Sequence, residues 1–170
     1  MLLLKGKEIV MANKNIDDRK KTLDGLQDKI EKKKVRLDQL EQAKSEAREQ
    51  RMVLENFEAQ MDDDAADTLW SEINEVYERV SEEGKELSVE MVEEITELDS
   101  LKEETQESLD AAKEAQAAEH QLIESAKANG IIVPESKNIG QNITDNTSLL
   151  SDIQKKMQEA NEISQKLGML

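Results

Sequence analysis

The stretch 70-WSEINEVYERVSEEGKELSVEMVEEITELDSL-101 decides the fold. Trp70, Ile73, Tyr77, Val80, Gly84, Leu87, Met91, Leu98 and Leu101 recur at steps of three and four or their sums, with glutamates filling many of the positions between them. That spacing gathers the apolar side chains into one stripe of an α-helix and turns the carboxylates outward. Thr105, Ser108, Ala112 and Ala115 carry the stripe further, so a partner helix is expected to come closest where the residues are small. Glu94 is the one charged member, and the adjacent Ile95 is the expected compensation. Unbroken to Lys127, the helix would be about 90 Å long at roughly 1.5 Å per residue. Gly84 is its weakest point, costing about 1 kcal/mol relative to Ala, and is where a bend is expected.

Upstream, Ile16, Leu23, Ile30 and Leu37 recur every seven residues, interleaved with Leu26 and Leu40. This is an a/d seam, which predicts a first helix from about Asn15–Asp18 to Ala59 or Met61. The stripe then drifts to Ala43, Ala47, Leu54, Phe57 and Met61, as in a helix that curves around its neighbour. Between the two helices lies 61-MDDDAADTL-69. A calcium loop counted from Asp62 would need an oxygen side chain at 66, glycine at 67 and glutamate at 73, and the chain has Ala66, Asp67 and Ile73. The aspartates read instead as a helix start near 62–67, with Asp64 and Asp67 as its caps. Trp70 is then expected to close the hairpin end against Phe57 and Met61.

Asn129-Gly130 reads as a helix C-cap, and the residues before Pro134, the only proline, must be extended. Ile131, Ile132 and Val133 are expected to fold back onto a helix. A third helix is predicted from Thr144 or Asp145 to Leu167, with Leu150, Ile153, Met157, Ala160 and Leu167 as its stripe and Leu149 and Ile163 flanking. The resulting layout is all-α: an elongated antiparallel, coiled-coil-like hairpin over 15–128, a linker over 129–143 and a shorter C-terminal helix over 144–170. Residues 1–14 read as a flexible N-terminus. Met11 is a candidate initiator, since Gly6-Lys7-Glu8 can be encoded by a purine-rich stretch of the kind that precedes bacterial start codons.

Composition supports thin seams over a thick core. Of 170 residues, 36% are hydrophobic and 36% charged, and Phe, Trp and Tyr occur once each. The net charge of -16 is uneven: residues 14–51 carry 12 Lys/Arg against 9 Asp/Glu, and residues 55–126 carry 4 against 24. Helices of such opposite character attract, although exposed pairs are each worth only about 0–1 kcal/mol. The acidic excess argues against nucleic acid, which needs clustered basic residues, and 29-KIEKKKVR-36 is the one basic patch. With no cysteine there is no disulfide, zinc finger or thiol chemistry. The apolar start MLLL is too short for a signal peptide and no window approaches a membrane span, so the chain is expected in the cytoplasm or exported by a signal-peptide-independent route.

Catalysis finds no foothold. His120, the only histidine, has Glu119 beside it and Glu124 one turn on, which is neither a metal set nor an activated nucleophile. No phosphate-binding glycine loop is present. The expectation is a protein that is not an enzyme and takes no metal or cofactor. Asn142-Ile143-Thr144 and Asn146-Thr147-Ser148 match the glycosylation pattern but read as cap and turn chemistry. The seven methionines, among them Met52, Met61, Met91 and Met157, fall mostly on or beside seams and read as core filling.

The basic–acidic heptad helix 37-LDQLEQAKSEAREQRMVLENF-57, the polar corner, and a Trp opening an acidic helix that carries Tyr77 resemble the WXG-type helical hairpins of Gram-positive type VII secretion. Over residues 15–100 the layout is still more similar to the helical partner proteins of LXG toxins. Trp70-Ser71-Glu72 stands where that family has Trp-x-Gly. Tyr77 to Ser81 lacks the acidic fifth residue of its export signal, and Phe57 to Met61 lacks the aspartate found in some toxin partners. The resemblance implies a small non-catalytic bacterial protein that accompanies a secreted toxin. The residues themselves imply a helical interaction protein that docks amphipathic helices of another chain through Trp70, Ile73, Tyr77, Val80 and Leu87, with Leu150, Ile153 and Met157 covering or extending the groove. Self-association as a coiled-coil structural protein, and an acidic immunity-type protein that neutralises a basic partner, are the competing expectations. Whether the Trp70 seam is core or interface is a question for the tertiary structure.

Overall fold

A computed structural model describes residues 2–170, with side chains from Ile16 onward, so the readings of residues 1–14 as flexible and of Met11 as initiator lie outside the described side chains. Three helices account for nearly all of it: α1 (Leu2–Phe57), α2 (Asp63–Ala128) and α3 (Lys137–Gly168), with a short 3-10 turn at Glu58–Gln60. No strand occurs among the described residues. The all-α class and the long first pair with a shorter third helix are as expected, but three boundaries move. The helix α1 begins well before Asn15, and α3 begins seven residues before Thr144.

The corner between α1 and α2 is tighter and earlier than 62–67. Met61 leaves the 3-10 turn in an extended conformation, with its N–H on the Glu58 carbonyl at 3.1 Å. The Asp62 carbonyl then accepts the first bond of α2, from the Ala66 N–H at 2.9 Å. Asp62 therefore holds the capping position, while Asp63 and Asp64 lie in the first turn, where their charge favours the positive end of the helix dipole. Asp64 and Asp67 are inside the helix and are not its caps. At the other end, Gly130 adopts φ 75° and the Ile131 N–H returns to the Ala126 carbonyl at 2.8 Å, a Schellman closure that needs the left-handed residue glycine supplies.

The apolar triplet after it does not fold back. Ile131 and Ile132 are 59% and 91% exposed, and only Val133 is partly covered. The early start of α3 explains this: Ile139, one turn into the helix, packs with Ala115 and Ile143 and takes the contact assigned to the linker. The linker is thereby reduced to the few residues around Pro134.

Each helix contributes a segment to each of two compact units: one formed by residues 1–27 and 96–158, the other by 28–95 and 159–170. In the first unit, Ile16, Leu23 and Leu26 of α1 and Leu98, Leu101, Leu109 and Ala112 of α2 are buried, together with Ile139, Leu149 and Ile153 of α3. In the second, Ile30, Leu37 and Leu40 of α1 are buried, as are Val80 and Met91 of α2 and Ala160, Ile163 and Leu167 of α3. The α3 stripe is thus 139, 142, 146, 149, 153, 160, 163 and 167, rotated from the expected one. Leu149 lies in the core and Leu150 only half so.

Gly84 does not bend α2, which is continuous through it. It is buried, and a Cβ built there would stand 2.7 Å from the Leu167 carbonyl oxygen and 3.1 Å from the Leu170 side chain. The glycine lets the end of α3 lie against the α2 backbone. Gly84→Ala should accordingly destabilise the protein by about 1–3 kcal/mol through overpacking, despite the gain of about 1 kcal/mol in helix propensity. Urea unfolding measures it, and a more stable variant would contradict the close packing.

Candidate functional site

Polar and charged side chains buried on the seams come first, because each must be accounted for before a surface can be called functional. In the second unit Glu94 stays in the core, 5% exposed, and Lys33 of α1 reaches it with its ammonium, with Glu90 a further 3.8 Å from the same nitrogen. The compensation expected from Ile95 is supplied by a cation on the facing helix. Lys34 lies 3.9 Å from Glu159 of α3, and Arg36 grips Glu83 with two nitrogens, Nη2 to Oε2 at 2.7 Å. The basic patch 29–36 therefore fastens α1 to α2 and α3 within this unit.

The hydrogen bond from Arg36, followed by its charge after a partial offset from burial, holds the Glu83 carboxyl below its ordinary 4.5. A depressed carboxyl contributes stability that is complete above about 4.5, its value in the unfolded chain, and is lost as pH falls through the folded value. Acid should cost the wild type more than Glu83→Gln. Thermal melts of both proteins from neutral pH to about pH 3 should therefore converge. Parallel curves would show that the pair contributes nothing.

In the first unit Arg19 of α1 is 4% exposed and donates from Nη2 to Asn146 Oδ1 at 3.1 Å. Burial lowers its pKa and the nearby Glu104 charge opposes that shift; guanidinium stays charged regardless. Asn146 donates in turn to the Asn142 carbonyl at 2.9 Å and lies against the Asn142 amide oxygen. Both asparagines are fully buried in the middle of α3. They are neither caps nor turns, because α3 starts early enough to place this i, i+4 pair on the core face. Glu119, 8% exposed, accepts the Ser136 N–H at 2.6 Å just ahead of α3, so a carboxylate from α2 caps the third helix. Sequence reading missed Arg19 and Glu119. Arg19 falls on the 16, 19, 23, 26 seam, which was the available signal, whereas the role of Glu119 depends on the chain's return.

His120 is an exposed helix residue with Nδ1 4.0 Å from Glu135 Oε1. Among the described residues no three His, Cys, Asp or Glu side chains gather where they could hold a metal ion. No described helix is long and apolar enough to cross a membrane.

The eight expected docking residues divide between the units. Ile73, Val80 and Ile153 are 4%, 1% and 0% exposed and belong to the cores. Trp70, Tyr77 and Leu87 in the second unit, and Leu150 and Met157 in the first, are partly exposed. Trp70 and Tyr77 occupy a particular place. In the second unit α3 runs parallel to α1 and ends at Gly168, where Lys44 donates to the Leu170 carbonyl at 3.2 Å and Gly84 meets Leu167. Seven and fourteen residues before Gly84, on the same helical line, stand Tyr77 and Trp70. Ser81 stands seven before Ser88, whose hydroxyl lies 3.3 Å from the Ser164 carbonyl of α3. On α1, Arg51 follows Lys44 by seven residues, and Glu58 of the 3-10 turn follows it by fourteen. Heptad spacing returns a residue to the same side of a paired helix, so Tyr77, Trp70 and Arg51 share the side of the long pair on which α3 packs at Gly84 and Lys44.

From Arg51 to Gln60 every residue except Leu54 is exposed, including Met52 at 58%, Val53 at 57% and Phe57 at 51%. The Trp70 indole Nε1 donates to Glu58 Oε1, next to Phe57 in sequence, at 3.2 Å. Residues 45–83 carry 13 Asp/Glu against 3 Lys/Arg, a net charge of -10. Among known proteins, no family model, no curated protein and no solved structure matches the chain.

Proposed function

We propose that the protein is a non-catalytic interaction protein that pairs with a helix of another protein. The observation that supports this is the hairpin end of the second unit, where the large aromatic side chains of Trp70 and Tyr77 are only partly covered. Large aromatic side chains at a groove are the residues that most often anchor a partner. The basic residues Lys33, Lys34 and Arg36 are engaged with carboxylates, which supports a protein partner over nucleic acid. The accompaniment of a secreted toxin, in the cytoplasm or during signal-peptide-independent export, is the setting suggested by the resemblance to WXG-type hairpins and LXG-toxin partners.

Photo-cross-linking in the native cell from position 77, with position 89 as control, tests this reading. Val89 is 70% exposed and lies beside the part of the groove that α3 already fills. One adduct is expected, from position 77 alone, mapping to an amphipathic segment of a different protein. Adducts of the chain with itself, or equal labelling from both positions, would overturn it.

A further inference from the structure

We infer that Arg19 selects the rotation of α3 in the first unit, and so decides which of two lines along that helix is buried and which stays at the surface. The observation behind it is a mismatch between apolarity and burial. One heptad line of α3, Ile139, Asn146 and Ile153, is buried. It is flanked on one side by Asn142, Leu149 and Lys156, and on the other by Ile143, Leu150 and Met157. Both flanks make three- and four-residue steps with the shared line, so either could complete a seam. The second is the more apolar, with Ile143 against Asn142 and Met157 against Lys156. Yet Asn142 and Leu149 are buried, at 0% and 2% exposure, whereas Ile143, Leu150 and Met157 are only partly covered. Burial of apolar surface alone favours the opposite choice.

Arg19 resolves the mismatch. Its guanidinium is buried on α1, stays charged, and donates to Asn146 Oδ1 at 3.1 Å. Asn142 aims that acceptor: its carbonyl takes the Asn146 Nδ2 at 2.9 Å, which turns the amide oxygen toward Arg19. Successive residues of an α-helix are about 100° apart, so centring the Ile143 flank needs a roll of about half that. At a radius of about 5–6 Å, such a roll moves the Asn146 amide by about 5 Å. The bond then breaks, and a buried charge loses the acceptor it has on α3. A hydrogen bond to a buried charge is among the costliest to leave unmade, which is why the less apolar flank lies inside. Arg19 is thus a positioning residue that keeps Leu150 and Met157 toward the surface.

The chain has no cysteine, so single thiols report the rotation without background. Leu149→Cys and Leu150→Cys are placed in turn in the wild type, in Arg19→Met, in Arg19→Met/Asn146→Leu and in Asn146→Asp, and thiol alkylation is timed. In the wild type, position 150 should label at least about tenfold faster than 149, since a buried thiol reacts only when the helix opens. In Arg19→Met the ratio should fall to unity or below, and in the double variant the order should reverse. Asn146→Asp retains an acceptor for Arg19 and should keep the wild-type order. A merely structural arginine behaves differently: its loss would speed labelling at both positions and leave their ratio alone.

An unchanged ratio in Arg19→Met or in the double variant would overturn the inference, as would a reversed order in Asn146→Asp. If Arg19→Met does not fold, the double variant decides, because it leaves no buried polar group unmatched between residues 19 and 146. Failure of both to fold would also overturn it, since the alternative seam of Ile139, Ile143, Leu150 and Ile153 must then be unable to hold the helix.

Discussion

Replacing Lys33 with Met is expected to cost about 3–5 kcal/mol, the range for removing one partner of a buried ion pair. The side chains of Lys33 and Glu94 are 12% and 7% exposed, so the carboxylate left behind has no ready access to water. Glu90 already shares the lysine and cannot substitute for it, because it is 60% exposed and carries the same sign. One oxygen of Glu94 makes no hydrogen bond even with the lysine present, which raises the cost of removing its one cation. The double variant Lys33→Met/Glu94→Leu should recover most of the loss, since a buried pair can be replaced by apolar side chains at little cost. Urea unfolding of the two single variants and the double variant forms the cycle. A loss under about 1 kcal/mol for Lys33→Met would show that the pair is solvated.

The second large effect concerns the rotation of α3. Ile153→Ala should cost about 2–5 kcal/mol and Leu150→Ala distinctly less, although both residues fit a three-four stripe in the sequence. Ile153 is fully buried in the first unit and Leu150 only partly so. The same comparison holds one turn earlier, where Leu149→Ala should exceed Leu150→Ala. Equal losses at 149 and 150 would place α3 in the rotation read from apolar residues alone.

That difference shows where sequence reading is reliable. On α2 the recurring Ile73, Val80, Met91, Leu98, Leu101, Ala112 and Ala115 are all buried, because the apolar spacing there is long and regular enough to fix the facing stripe. On α1 the heptad Ile16, Leu23, Ile30 and Leu37 is buried for the same reason. On α3 the true stripe includes Asn142 and Asn146, which any hydrophobicity count scores as surface. Their burial is tolerated because Asn146 accepts from Arg19 on another helix, and no local pattern shows that partner. Reading the asparagines as caps also delayed the start of α3, and with it misplaced the linker.

The seam residues divide in a way the sequence does not show: Trp70 and Tyr77 stay partly exposed, whereas Ile73, Val80 and Ile153 also sit at three-four spacing and are core. Periodicity says which residues share a face, not whether another helix covers it. Here the cover is α3, and it ends beside Lys44 and Gly84.

By itself, then, the sequence determined the all-helical class, the three helices and the facing stripes of the long pair, because these follow from local spacing, capping and the i, i+4 geometry of the backbone. Only the tertiary structure decided which cation answers Glu94, how α3 is rotated and why residue 84 is a glycine. Each of these depends on residues more than sixty positions apart meeting at a few ångströms, which no pattern within a single helix encodes.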